Sequence, residues 1–184
     1  EKFYKKCIVI TGRVRPGEPQ SSYFCEGLIN YLLSDEDEAK EIRSKFIVKI
    51  IPMLNPDGVI LGNTRASLLG CDLNRRWQKP SKFLHPTIYY TKSMLKYLNK
   101  KMQEPDCKAG GVVTYVDVHG HHKHKDMFMY GCAVEGAFSF YEGNKVIMAV
   151  PDAVDRILPV FNTQKCRFAV EPDKLETGRL VVFK

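Results

Sequence analysis

Cys7-Ile8-Val9-Ile10-Thr11-Gly12, running on into Arg13-Val14-Arg15-Pro16-Gly17-Glu18, carries the most architectural information in this chain. The first four residues form an unbroken apolar run rich in β-branched side chains. Such a run lacks the alternation of a half-solvated strand, so it predicts a central strand covered on both faces. Gly12 ends it, Pro16-Gly17 marks a turn, and a carboxylate, Glu18, follows that turn. Outward from this point, residues 46–53 form a second β-rich run, closed by Asn55-Pro56-Asp57-Gly58. Gly110-Gly111 precedes a third at 112–118, a short strand is predicted at 127–130, and a last one at 180–183. Between them the apolar period becomes helical. Phe24, Leu28, Tyr31 and Leu32 follow Ser21 or Ser22 as N-cap, and 34–40 reads as a short helix with acids at its start. Ile88, Leu95 and Leu98 follow Pro86, and Val154, Ile157, Leu158 and Phe161 predict a helix stopped near Pro159. Residues 59–84 are rich in turn formers and read as a long functional loop. Alternation of strands and helices predicts a three-layer α/β/α sandwich with a mixed, mostly parallel central sheet. It is read as a single, partial domain over 1–184, incomplete at the C-terminus because the last expected strand runs to the last residues.

With 184 residues, 44% of them hydrophobic and 27% charged, the chain has the composition of one soluble globular domain. No apolar run approaches the ~18 residues of a membrane span, and the run at 7–10 is too short for a signal peptide. The expectation is a soluble, cytoplasmic protein with no membrane partner. Six scattered cysteines, at 7, 25, 71, 107, 132 and 166, form no C-x-x-C pair and read as reduced thiols. The net charge of +7 favours acidic partners. The basic residues are dispersed, the densest stretch being His121-His122-Lys123-His124-Lys125, and no basic stripe interleaved with aromatic residues supports nucleic-acid binding.

Binding sites of open α/β sheets lie beyond the carboxyl ends of the strands. Glu18, Asp57 and the Asp117-Val118-His119 group all fall there. Two readings of Glu18 and His119 are open from these residues alone. They can share a metal ion with a third ligand, or they are a loop carboxylate and a hydrogen-bonded strand-end histidine.

Four segments in order, Arg15-Pro16-Gly17-Glu18, Asn55-Pro56-Asp57-Gly58, Asp72-Leu73-Asn74-Arg75 and Asp117-Val118-His119-Gly120, resemble the signature of zinc metallocarboxypeptidases. Pro52-Met53-Leu54-Asn55, Gly70-Cys71-Asp72 and Phe128-Met129-Tyr130-Gly131-Cys132 are most similar to the cytosolic carboxypeptidases, the group that trims glutamates from tubulin and other acidic proteins. The resemblance covers nearly the whole chain. It implies a peptide hydrolase and zinc, held at Glu18 and His119 with a histidine as the remaining ligand. Here that position is Arg15. A guanidinium has no lone pair to offer and stays protonated in proteins. At ~4 Å and an effective dielectric of ~20, its repulsion with a divalent ion is on the order of 8 kcal/mol. In the family the aspartate matched by Asp72 braces the missing imidazole, so Arg15 is expected to pair with Asp72 and Glu18 and to stand in for the metal. Arg65, Asn74 and Arg75 match the residues that hold the terminal carboxylate of the substrate, and Arg179 in Thr177-Gly178-Arg179 lies near the side-chain pocket. The family's general-base glutamate is expected beyond Lys184, so no catalytic residue is assigned within the chain. His121, His122 and His124 are candidates to rescue a metal site. The resemblance thus implies a glutamate-releasing carboxypeptidase domain, inactive or impaired, possessing acidic protein tails such as tubulin's as partners and associated with microtubules. The competing reading is a degenerate carboxypeptidase that binds acidic C-terminal tails without cutting them.

Overall fold

The run Lys6–Gly12 forms β1, the middle strand of a three-stranded parallel sheet, between β2 (Phe46–Ile51) and β3 (Val112–Val118). The computed structural model describes residues 5–101, 111–132 and 140–183, with the side chains of 101, 140–147 and 183 left aside. Cys107 and Gly110, named above, lie outside the described residues. Among those described, the sheet is wholly parallel. Thr11 stands beside Ile51 on one side and Asp117 on the other, which brings the carboxyl ends of all three strands level. The chain divides into two compact units, Glu1–Gly120 with Glu176–Val182, and His121–Leu175 with Phe183–Lys184.

In the first unit, helices α1 (Gln20–Leu33), α2 (Asp37–Lys45), α3 (Pro56–Ile60), α4 (Pro86–Lys101) and α6 (Gly178–Phe183) accompany the sheet. Its core gathers Cys7, Val9, Val14, Leu54, Leu73, Trp77, Ile88 and Leu95. Ile88, Leu95 and partly buried Leu98 supply the face of α4 that their spacing predicts. The loop of 59–84 is largely irregular, broken by the end of α3 and a single 3-10 turn at Leu73–Arg75.

The turn after β1 is held from several sides. Arg13 adopts φ 53°, in the left-handed region, and its N–H donates to Ser21 Oγ. The Arg13 side chain bonds Pro16 O and Ser22 Oγ. Gly17 N–H donates to Thr64 O at 2.9 Å, and a Cβ on Gly17 would stand 2.7 Å from that oxygen and 2.9 Å from Thr64 Cα. The obstructing atoms are backbone and cannot yield as a side chain would. Gly17→Ala is therefore expected to cost about 1–3 kcal/mol, read as a lowered urea midpoint.

Three expectations are corrected. α1 starts at Gln20 and buries Ser21, Cys25 and Leu32, while Phe24 and Tyr31 are exposed. Ser21 Oγ is drawn inward by bonds to Arg13 N and Glu18 O, which rotates the buried stripe; neither Ser21 nor Ser22 is the N-cap. Residues 178–183 are helical, with Val181 N bonded to Thr177 O and Leu180 buried, so the predicted last strand does not form. A short apolar run suits either state, and Gly178 starts this one as a helix.

In the second unit, α5 (Phe140–Ile157) begins well before Val154, carries Pro151 within it and ends before Pro159. The strand predicted at 127–130 is reduced to isolated bridges, Met127 to Phe161 and Tyr130 to Arg167. Cys7, Cys25, Cys71, Cys132 and Cys166 are free thiols.

Candidate active site

The carboxyl ends of β1 and β3 and the 72–75 turn converge within the first unit. Gly120 N–H and His119 Nδ1 both donate to Glu18 Oε2 at 2.9 Å. Arg15 Nη1 donates to Glu18 Oε1 at 3.1 Å, and Arg15 Nε lies 3.8 Å from Asp72 Oδ2. The same Asp72 oxygen accepts from Arg65 Nε and Nη2, each at 2.9 Å. On the far side, His119 Nε2 stands 2.8 Å from Asp117 Oδ2. The result is an unbroken alternation of basic and acidic groups: Arg65, Asp72, Arg15, Glu18, His119, Asp117.

Local structure explains each position. Asp72 caps the Leu73–Arg75 turn, its Oδ1 accepting from Asn74 N at 2.9 Å. Asp117 and His119 are two apart at the end of a strand and so project from one face. Thr11, fully buried, donates to Asp117 Oδ1 at 2.8 Å and pairs with Tyr115 Oη at 3.0 Å. Burial and the Asp117 charge push the Tyr115 phenol well above its ordinary value. A Cβ on Gly120 would displace the end of the Gln20 side chain, whose Oε1 lies at 2.7 Å, and crowd Glu18 Cγ at 3.2 Å. Burial works against the ionised Glu18, but His119, the Gly120 N–H and Arg15 outweigh it and hold the carboxyl below its ordinary value. Burial likewise opposes a charged His119, yet Asp117 and then Glu18 raise it to about 10.

The carboxylate-binding set is arranged unevenly. Arg65, 56% exposed, is paired to Asp72 and can swing outward. Asn74 is buried: its Oδ1 accepts from Gly178 N at 3.1 Å and its Nδ2 stands 3.2 Å from His119 Nε2. Arg75 Nη1 donates to Asn74 O, and Arg179 is the second residue of α6. Gly178 allows that helix to close on Trp77 and Tyr115, whose atoms a Cβ would approach to 2.9 Å. Two contributors escaped the sequence reading: Asp117 as the second partner of His119, and Asn74 as the tie to Gly178. The i, i+2 spacing of Asp117 and His119 was the available signal for the first.

These geometries meet a family with a known zinc site. The zinc carboxypeptidase family is matched over residues 2–130. The chain belongs to the zinc carboxypeptidase family. It is 40% identical over 186 residues to cytosolic carboxypeptidase 1 of Xenopus laevis, covering 96% of this chain and 15% of that protein. It is also 40% identical over 185 residues to human cytosolic carboxypeptidase 4, covering 96% of this chain and 16% of that protein. The chain thus spans about 15% of the length of these curated relatives. Its fold matches a crystal structure of a metallo-carboxypeptidase from Burkholderia cenocepacia with a TM-score of 0.81 and 25% identity, over 98% of this chain and 45% of that one. The chain is a domain of that family, whose name carries the zinc and the peptidase activity, and it has the carboxypeptidase α/β fold.

The residues present do not fit the zinc. Of the positions matched to ligands, Glu18 and His119 offer donors and Arg15 offers none. Both ring nitrogens of His119 face carboxylate oxygens, and the ring would have to give up a proton to take a metal, so Arg15 is the position that leaves the ligand set short. Among the described residues, no group of three His, Cys, Asp or Glu side chains is placed to hold an ion. The candidates for rescue belong to the second unit. There the His121 ring stacks on those of His122 and His124, and its Nδ1 accepts from the backbone N–H groups of Lys123 and His124.

Proposed function

We propose that this carboxypeptidase domain holds acidic C-terminal protein tails in the pocket of a glutamate-releasing enzyme and does not hydrolyse them efficiently. The observation that carries the reading is Arg15, bonded to Glu18 where the resemblance calls for a ligand imidazole. The tail's terminal carboxylate is received by Arg65 and Arg75, with Asn74 beneath them and Arg179 toward the glutamate side chain. An arginine fork suits this task because it delivers two parallel charge-assisted hydrogen bonds to one carboxylate. Arg65, half-exposed, can leave Asp72 for the tail because Arg15 stays beside that carboxylate. The net charge of +7 favours encounter with an acidic partner. The names of the cytosolic carboxypeptidases support a cytoplasmic site of action; tubulin tails have the required chemistry, and on that ground alone microtubules are included in the proposal.

The test is fluorescence anisotropy with a peptide ending in several glutamates, beside the same peptide amidated at its C-terminus. The free acid is expected to bind about 10–100-fold more tightly, the worth of a charge-assisted bond of ~1.5–3 kcal/mol. Arg65→Ala should remove most of that difference, and no glutamate should be released during the measurement. Equal affinity for acid and amide would dismiss the pocket as a tail reader; zinc-dependent release of glutamate would instead identify a working hydrolase.

A further inference from the structure

We infer that the Arg15 guanidinium is a built-in cation that replaces the catalytic metal, so that this site folds complete without zinc and is one substitution away from binding it. The argument concerns the site itself and stands apart from which tail, if any, the pocket receives. Arg15 Nη1 is 3.1 Å from Glu18 and its Nε is 3.8 Å from Asp72, both carboxylates more than four-fifths buried. A buried carboxylate needs a compensating charge or hydrogen bonds. Arg15 supplies that charge to Glu18 and Asp72 together, joining two segments 54 residues apart in sequence (72 − 18).

The guanidinium is also a tethered cation, unlike a bound ion. It sits on a turn fixed by the Arg13 bonds to Ser21, Ser22 and Pro16 and by the Gly17 bond to Thr64. Its Nε is buried and makes no hydrogen bond, 3.8 Å being too long for one to Asp72. A planar fork therefore meets this acidic pair imperfectly. Glu18 and Asp72 are where an imidazole would find a metal to share with Glu18 and a carboxylate to orient its ring.

The experiment is elemental analysis of the full chain after dialysis in zinc buffered by a chelator, paired with thermal melts in zinc and in EDTA. It compares the natural chain with Arg15→His, Arg15→Met and Glu18→Gln. The natural chain is expected to retain less than ~0.1 zinc per molecule and to melt at the same temperature in zinc and EDTA. Arg15→His is expected to bind about one zinc and to melt several degrees higher in zinc than in EDTA, roughly 2–4 °C per kcal/mol gained for a chain of this size. Arg15→Met keeps the bulk of the side chain without its charge; it should melt lower than the natural chain in either solution and bind no zinc. Zinc retained by the natural chain and lost in Glu18→Gln would overturn the inference. So would a folded Arg15→His chain that binds none, or an Arg15→Met chain as stable as the natural one. Zinc that the natural chain and Glu18→Gln retain alike lies outside this site and leaves the result in support. None of these readouts depends on peptide binding, so the failure of the tail-binding reading and of this one are separable.

Discussion

Replacing Trp77 with alanine is expected to destabilise the first unit by about 3–5 kcal/mol, the range for deleting a large buried aromatic side chain. Trp77 is fully buried in the core with Leu54, Leu73 and Ile88, and its ring meets Tyr115 edge-on at 5.9 Å. Gly178 lies against the indole, so the cavity would open beneath α6 and loosen the Gly178–Asn74 bond that braces the pocket. Trp77→Phe provides the control. The indole Nε1 is buried without a hydrogen-bond partner, so phenylalanine removes an unpaired donor as well as bulk. It should cost less than half as much as alanine. Urea denaturation followed by circular dichroism checks both, and equal losses for alanine and phenylalanine would mean that the cavity is not the governing effect.

The second large effect is expected at Asp117. Its side chain is 6% exposed and receives the buried Thr11 hydroxyl on one oxygen and His119 Nε2 on the other. Asp117→Ala removes one acceptor from each donor and leaves the charged ring with Glu18 alone in a poorly solvated place, a loss of about 3 kcal/mol, the low end for broken buried pairs. Asp117→Asn behaves differently. Its carbonyl oxygen still accepts from Thr11, and its amide can donate to a neutral imidazole, so the expected cost falls to about 1 kcal/mol. A melt series of natural chain, asparagine and alanine variants should fall in that order. Coincident melts for alanine and asparagine would show that the charge, rather than the hydrogen bonds, is what Asp117 contributes.

Much of this arrangement could be read before any coordinates. Cys7 to Ile10 announces a buried central strand because parallel strands need apolar residues on both faces. Pro86 with Ile88, Leu95 and Leu98 defines α4 because cap and stripe agree. The approach of Arg15 to Glu18 and Asp72 was implied by the resemblance, which sets a carboxylate on either side of the ligand position that the guanidinium fills. What could not be read depends on contacts distant in sequence. The stripe of α1 is turned by Ser21 reaching Arg13 and Glu18, which no periodicity records. Residues 180–183 are β-formers by composition, but Gly178 under Trp77 and Tyr115 sets them as a helix. The helix read from Val154 onward extends back to Phe140, through Pro151. The division of the chain after Gly120 has no marker in composition at all.

Asp72 serves two arginines with one oxygen, and this sharing governs how the pocket exchanges partners. When Arg65 leaves for an incoming carboxylate, Asp72 is not abandoned, because Arg15 remains beside it. Its unmatched Nε then faces an oxygen with a vacant lone pair, and closing the 3.8 Å gap would offset part of what Arg65 gives up. Departure of one arm is cushioned by the other, so the outer arm is free to search solvent while the inner one keeps the acidic floor in place.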